Sequence, residues 1–152
     1  MTDWTEFSEG LANRLAGLPA GAVVIIGEAG VPSEQRRFVQ FRQLADRTWI
    51  ELCGDDSFDP ELRVARDMHR WIAEAGWRDR DDDHGGNWWF EQVWPATSVD
   101  YHRLASMVVT GLRDAYQIST PDRLSYDAWN ENAGNRTLEL PQLGIRQESR
   151  PQ

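Results

Sequence analysis

The hydrophobic positions of the chain follow two spacings, and each spacing predicts its own kind of element. Near the start, apolar residues recur every three or four positions, which is the spacing of one helix face. The pattern stops at Pro19, because proline cannot continue a helix. We predict a first amphipathic helix with an apolar face formed by Trp4, Phe7, Leu11, Leu15 and Leu18.

Three extended segments follow this helix. β-branched and aromatic residues are frequent in residues 22–26, 36–44 and 48–53. A Gly-Val-Pro-Ser break at residues 30–33 separates the first from the second, and a short turn separates the second from the third. Because consecutive strands with short connections pair side by side, these segments predict an antiparallel meander.

The next segments predict two more helices around one strand. A helix is expected to begin at Asp59 and Pro60, a capping carboxylate followed by a proline at the first helical position, and to end at Gly76. Residues 88–94 predict a fourth strand, and a third helix follows from Ser98.

This order of elements, α-β-β-β-α-β-α, predicts the fold class and the domain organisation. We expect an α+β fold in which an antiparallel sheet of four or five strands carries the helices on one face. Residues 1–118 are expected to form a single domain. Residues 119–152 are rich in proline, asparagine and aspartate and predict a largely irregular C-terminal tail.

Polar side chains on the strands indicate which face of the sheet is open, since a buried unpaired charge is costly. Side chains alternate across a strand, so each polar position brings its neighbours at a spacing of two to the same face. The polar positions are Gln40, Arg42, Glu51 and Glu91. The open face therefore carries three aromatic residues, and the candidate peptide-binding residues are Phe38, Arg42, Trp49 and Trp89.

Such an aromatic surface indicates an interface, because aromatic side chains give a large contact area with few rotatable bonds. It does not name the occupant. A client segment, a second copy of the chain and the protein's own tail remain open alternatives. The tail residues that would cover the face are Leu138, Leu140, Leu143 and Ile145.

Composition narrows the class of partner. The 152 residues are 40% hydrophobic and 27% charged, which is typical of a globular domain, and the net charge is −9. That charge repels phosphate backbones and anionic lipids, so we expect neither nucleic acid nor a membrane surface as partner. The only cysteine, Cys53, cannot form an internal disulfide and suits a reducing compartment, and no apolar run is long enough to span a bilayer. We expect a cytoplasmic protein.

Catalytic motifs are few. The chain has no lysine, which excludes a P-loop and a Schiff-base enzyme, and no Gly-x-Ser-x-Gly, His-Glu-x-x-His or Cys-x-x-Cys motif. The strongest hint of chemistry is Asp81-Asp82-Asp83-His84, whose oxygen and imidazole donors suit a divalent metal. Adjacent acids in a loop are far more often a solvated turn, so we predict no enzyme activity, no metal site and no cofactor.

Several short segments resemble one superfamily of peptide-binding chaperones, TY-Chap, which groups type III secretion chaperones with YbjN-like proteins. They are Arg37-Phe38-Val39-Gln40-Phe41, Glu51-Leu52, Ala75-Gly76-Trp77, Asn87-Trp88 and the residues from Leu112 to Tyr116. The resemblance implies a small acidic α+β protein, often dimeric, that holds an extended or partly unfolded client segment without chemistry or nucleotide.

Two functional hypotheses follow. The first is a non-enzymatic cytoplasmic chaperone or adaptor that holds an extended client segment, from a secreted protein for example, on the aromatic face. The second is an acidic immunity or antitoxin-type inhibitor that neutralises a basic toxin through charge complementarity. A metal-dependent enzyme that uses residues Asp81 to His84 is a third, weaker hypothesis. A homodimer is compatible with the first.

Overall fold

The computed structural model describes residues 2–56 and 58–148, and this part of the chain contains three α-helices and seven β-strands. The helices are α1 (Trp4–Ala16), α2 (Arg66–Ala75) and α3 (Ser98–Val109). The strands are β1 (Ala22–Glu28), β2 (Phe38–Gln43), β3 (Arg47–Leu52), β4 (Trp88–Val93), β5 (Leu124–Asn130), β6 (Arg136–Thr137) and β7 (Arg146–Gln147). The predicted α+β class and the order of the first seven elements agree with the structure.

All seven strands belong to one sheet, in which β4, β3, β2, β1, β5 and β6 lie side by side in that order. Neighbours in this row are antiparallel, and β7 pairs in parallel with β5. The predicted sheet of four or five antiparallel strands was therefore too narrow, and it lacked the parallel pair.

The missing width comes from the segment after residue 118. β5 pairs with β1 along its whole length, from Ala22 opposite Asn130 to Glu28 opposite Leu124. A domain boundary at residue 118 would separate β1 from this hydrogen-bonded neighbour. Turn-forming residues on both sides of β5 favour a loop there, although Leu124, Tyr126 and Ala128 alternate as in a strand and are buried.

The Asp3 side chain caps α1, whereas the Asp59 side chain caps no helix. The Asp3 carboxylate accepts the Glu6 backbone N–H at 2.7 Å, as the first turn of a helix requires. Asp59 instead accepts the side-chain amide of Gln35 at 3.0 Å. The predicted helix start at Asp59 is wrong, because only a short 3₁₀ turn forms there and α2 begins at Arg66.

The helices pack against one face of the sheet and enclose the core. The helical segment that follows α3 approaches β3 closely, since a Cβ added at Gly111 would lie 2.6 Å from a methyl group of Leu52. Strand residues on this face that are at most 2% exposed include Val24, Ile26, Val39, Phe41, Ile50 and Leu52. Within residues 2–56 and 58–148, no helix combines the length and apolar character needed to cross a membrane.

The segment after β6 joins this core and does not cover the opposite face. Leu140 and Leu143 are 3% and 0% exposed, and the Leu140 backbone N–H donates to the Tyr126 hydroxyl at 2.8 Å. Residues 141–143 approach α1 so closely that a Cβ added at Gly10 would collide with the carbonyl of Gln142. Leu138 and Ile145 are partly buried against the same core. Tail occupation of the aromatic face, one of the alternatives above, is therefore wrong for the described residues.

Candidate functional site

The face of the sheet opposite the helices has a cross-strand row of mixed chemistry. Trp49 on β3 lies opposite Glu91 on β4 and Arg42 on β2. Arg42 in turn lies opposite Val23 on β1, and Val23 opposite Trp129 on β5. Two tryptophans thus stand three strands apart in one row, with an arginine and a valine between them.

A cavity of about 360 Å³ opens on this face. Its floor and walls combine apolar groups with a cation and a carboxylate, and ligand pockets share this composition, in which apolar contacts bind and a few polar groups fix the orientation. The lining includes Val23, Gln40, Arg42, Leu44, Trp49 and Glu51.

Charges around the cavity are paired. The Arg42 guanidinium lies 2.8 Å from the Glu131 carboxylate, with about half of the Arg42 side chain exposed. Beside it, Arg47 contacts Glu91 at 3.0 Å. Because an exposed ion pair such as Arg42–Glu131 contributes little stability, an incoming polar group can replace Glu131 at small cost.

Glu51 is the polar anchor of the face and is only 8% exposed. Its carboxylate accepts the Gln40 amide at 2.6 Å, the Trp49 indole N–H at 2.9 Å and the Asn87 amide at 3.1 Å. Three donors satisfy most of what a buried carboxylate needs. Glu51 thereby fixes the indole of Trp49 and ties the loop before β4 to the sheet.

Trp89 lies beneath that loop. The imidazole of His84 stacks on its indole, with ring centroids 4.1 Å apart and an interplanar angle of 4°. The same imidazole lies 4.8 Å from the Trp49 ring. His84 Nδ1 lies 2.6 Å from an Asp81 carboxylate oxygen, and this hydrogen bond is the main reason that the pKa of Asp81 is lowered.

The four predicted site residues share this face but do not form one open surface. Arg42 and Trp49 line the cavity, whereas Trp89 is covered by His84. Phe38 lies at the end of β2, opposite Gly27, and packs partly against the core. Its backbone N–H donates to the sulfur of Cys53, a thiol whose pKa burial raises to about 12. The structure thus places Arg42 and Trp49 at the cavity and Trp89 under His84, with Phe38 apart from both. That the four residues bind a peptide stays a prediction.

Sequence reasoning missed two participants. Trp129 lies in the segment predicted to be an irregular tail. The polar residues Ser125 and Asp127 alternate with apolar ones along this segment, and this pattern would have placed Trp129 on the open face. His84 was considered only as a metal ligand. Among the described residues there is no group of three or more His, Cys, Asp or Glu side chains that could hold a metal ion, and His84 instead packs on tryptophan.

Comparison with known proteins adds the family to this geometry. A family model described as TY-Chap3, "T3SS (YopN, CesT) and YbjN peptide-binding chaperone 3", matches residues 1–130. The chain belongs to this family. The matched region ends with β5, so it contains the whole row from Trp49 to Trp129. Neither a curated protein nor a solved structure matches the chain. The resemblance drawn from short segments is therefore confirmed at the level of the family, which is one of peptide-binding chaperones.

Proposed function

We propose that this protein is a non-enzymatic chaperone or adaptor of the cytoplasm that holds an extended segment of a client protein on the open sheet face. The observation that carries the proposal is the cavity beside Trp49 and Arg42 on the sheet face opposite the helices. Membership in a peptide-binding family supports the class of ligand. The buried, unpaired Cys53 suits a reducing compartment.

The cavity matches one apolar side chain of an extended segment. Val23, Leu44 and Trp49 supply apolar walls, and the half-exposed Arg42 lies at the rim, where its guanidinium can donate to a client carboxylate or carbonyl in place of Glu131. Aromatic and arginine residues of this kind contribute most of the binding free energy at interfaces. Trp49 and Arg42 are therefore the proposed anchors.

An edge of the sheet lies close to these anchors. β4 is the outermost strand on this side, and within the described residues its outer pairing is a single bridge between Trp89 and Arg78. A client strand beside residues 91–93 would gain backbone hydrogen bonds, while its alternate side chains point toward the open face. Adding the client to the edge and filling the cavity are compatible in one extended segment.

The test is binding of a panel of short fluorescein-labelled peptides that alternate apolar and polar residues, followed by anisotropy. Trp49→Ala and Arg42→Ala are compared with Trp71→Ala, since Trp71 is 48% exposed on α2 and lies away from the open face. We expect Trp49→Ala to weaken binding about tenfold or more, as the loss of an interface anchor does. If folded Trp49→Ala protein binds the peptides as tightly as the wild type, the open sheet face is not the client-binding site.

The rival function, inhibition of a basic toxin, is favoured by the net charge of −9 and differs in its salt dependence. Apolar capture on the cavity persists between about 0.15 M and about 1 M salt, whereas capture led by long-range charge weakens steeply over that range. Repeating the panel with added basic peptides at both concentrations separates the two. A homodimer and a secreted client remain further proposals, and sedimentation of the purified protein tests the first.

A further inference from the structure

We propose that His84 is an internal occupant of a subsite formed by Trp49, Trp89 and Asp81, and that a histidine or arginine side chain of the client takes its place. This inference rests on the proposed function, because it names the chemistry that the second half of the same face accepts.

His84 behaves as a ligand of this subsite. The neighbouring residues of its loop, Asp81, Asp82, Asp83 and Gly85, are exposed, whereas the imidazole is only 9% exposed. It makes the two contacts that define a planar, N–H-donating ligand: stacking on Trp89 at 4.1 Å and a 2.6 Å hydrogen bond to the Asp81 carboxylate.

The fit of His84 is incomplete. Its second ring nitrogen, Nε2, is buried and has no hydrogen-bond partner among the described residues. A buried polar atom without a partner disfavours the state that buries it. A client side chain with more donors, such as a guanidinium, would donate to Asp81 in place of the imidazole. The displaced His84 would then be exposed to water, which can satisfy Nε2.

The Trp89 indole already accepts a guanidinium. The Arg78 side chain lies over its ring, 5.3 Å from the centroid. Planar cations stack well on indole rings, and arginine does so more often than lysine. Two carboxylates bond to the rings of this subsite: Glu51 accepts the Trp49 indole N–H together with two further donors, and Asp81 is bonded to the His84 imidazole. Exchange of the imidazole frees this contact of Asp81, so Asp81 would recognise the client cation.

Displacement of His84 would also join the two halves of the face. Trp49 is shared, since one of its contacts is His84 and it also lines the cavity beside Arg42. With the imidazole withdrawn, the cavity would continue past Trp49 to Trp89 and the β4 edge. His84 therefore limits the length of the groove that a client finds.

The first experiment needs no client. His84→Ala removes the occupant, and imidazole, methylguanidinium and methylammonium serve as probes of the vacated subsite. We expect imidazole and methylguanidinium to raise the thermal midpoint of His84→Ala, while methylammonium, which is cationic but not planar, leaves it unchanged. His102→Ala is the matched control, because His102 is an exposed histidine on α3 whose Nδ1 contacts the Ser98 carbonyl. Absence of a probe-specific shift in folded His84→Ala protein, or an equal shift in His102→Ala, overturns the subsite.

The second experiment uses peptides from the panel in pairs that differ only in arginine or lysine at one position. If the subsite is free of His84 in about one wild-type molecule in ten, only that fraction can bind the arginine side chain, and removing the imidazole strengthens binding about tenfold. His84→Ala should therefore bind the arginine peptide about tenfold more tightly than the wild type. If His84→Ala does not fold, the ring-proton resonances of His84 in the wild type replace it. They should move toward solvent-exposed values when the arginine peptide is added, and unchanged resonances at saturation overturn the proposal.

The two experiments distinguish failure of the proposed function from failure of the subsite. A shift with imidazole but no binding of any peptide removes the proposed function and leaves the subsite. Peptide binding that is equal in wild type and His84→Ala, without any probe shift, removes the subsite and leaves the proposed function.

Discussion

Phe41 and Arg42 are neighbours on β2, yet their side chains enter opposite environments. Phe41 is 1% exposed beneath the helices, among aliphatic residues of β1 and β3. Arg42 lies on the other face, with half of its side chain exposed, an ion pair to Glu131 and a cavity beside it. One face of the sheet is closed by apolar packing, whereas on the other a hydrogen bond to Glu51 holds Trp49 and a stacked imidazole lies on Trp89.

This difference separates stability from function. The helix-covered face needs no polar partner, and its residues contribute through buried area. On the open face Glu51 orients Trp49 and the His84 imidazole stacks on Trp89, so both indoles depend on contacts that a ligand can exchange. Substitutions on the first face should unfold the protein, and substitutions on the second should change binding.

The largest expected effect compares Phe41→Ala with Arg42→Ala. Removing a fully buried phenylalanine costs about 3–5 kcal/mol of unfolding free energy, because lost burial and the remaining cavity add together. Removing Arg42 loses one exposed ion pair, worth about 0–1 kcal/mol. Urea denaturation measures both, and similar losses for the two variants would contradict the assignment of the faces.

A second comparison tests whether residues 141–143 belong to the core. Gly10→Ala places a Cβ against the Gln142 carbonyl and should cost about 1–3 kcal/mol, as overpacking does. Gly17→Ala is the matched control, because a Cβ there would meet only backbone oxygens at 4.0 Å. Thermal denaturation of both variants is the measurement. A tolerated Gly10→Ala would mean that this segment does not pack on α1.

Glu51→Gln is expected to have an intermediate effect. The amide keeps one acceptor but brings N–H groups to a position where three donors converge, so at least one hydrogen bond is lost, at about 1–2 kcal/mol. The Trp49 indole N–H resonance should move, since its acceptor changes. Gln92→Glu is a control on the neighbouring strand, outside this network. An unchanged Trp49 signal would show that Glu51 does not orient the indole.

The smallest expected effect is that of acid on the His84 cover. The hydrogen bond from His84 holds the pKa of Asp81 below its ordinary value of 3.8. Its contribution to the closed loop is thus fully present above pH 3.8 and is lost as the pH falls through the lowered folded value. The ring resonances of His84 should report opening in that acidic range. Asp81→Asn should remove this transition and Asp82→Asn should retain it. The same transition in Asp81→Asn would contradict the assignment.

Much of the fold could be predicted because β2 and β3 alternate cleanly. Arg42 and Glu51 each mark the open face, and positions that alternate with them, such as Val39 and Ile50, are buried beneath the helices. β5 was missed although Leu124, Tyr126 and Ala128 alternate as well, since proline and asparagine near its ends favour loops. Local signals of turns outweighed a short periodic pattern.

The site was harder to predict than the sheet. Alternation indicates that Trp49 and Trp89 share a face, but it says nothing about which loop returns across them. The cover by His84 depends on how the loop before β4 is tied to Glu51 through Asn87, a contact between residues 36 positions apart. Only the folded chain brings those groups together, so the division of the predicted site into a cavity and a covered half was outside the reach of sequence patterns.

The most direct test of the central claim uses the eight tryptophans of the chain as reporters. Their indole N–H resonances can be assigned by single Trp→Phe substitutions and followed while the tightest-binding peptide of the panel is added. We expect the Trp49 signal to shift or broaden with saturation, because its indole N–H lies at the cavity and is bonded to Glu51, while the Trp71 signal on α2 stays in place. Movement of Trp71 with an unchanged Trp49 would place the client on the helices and contradict the open-face site.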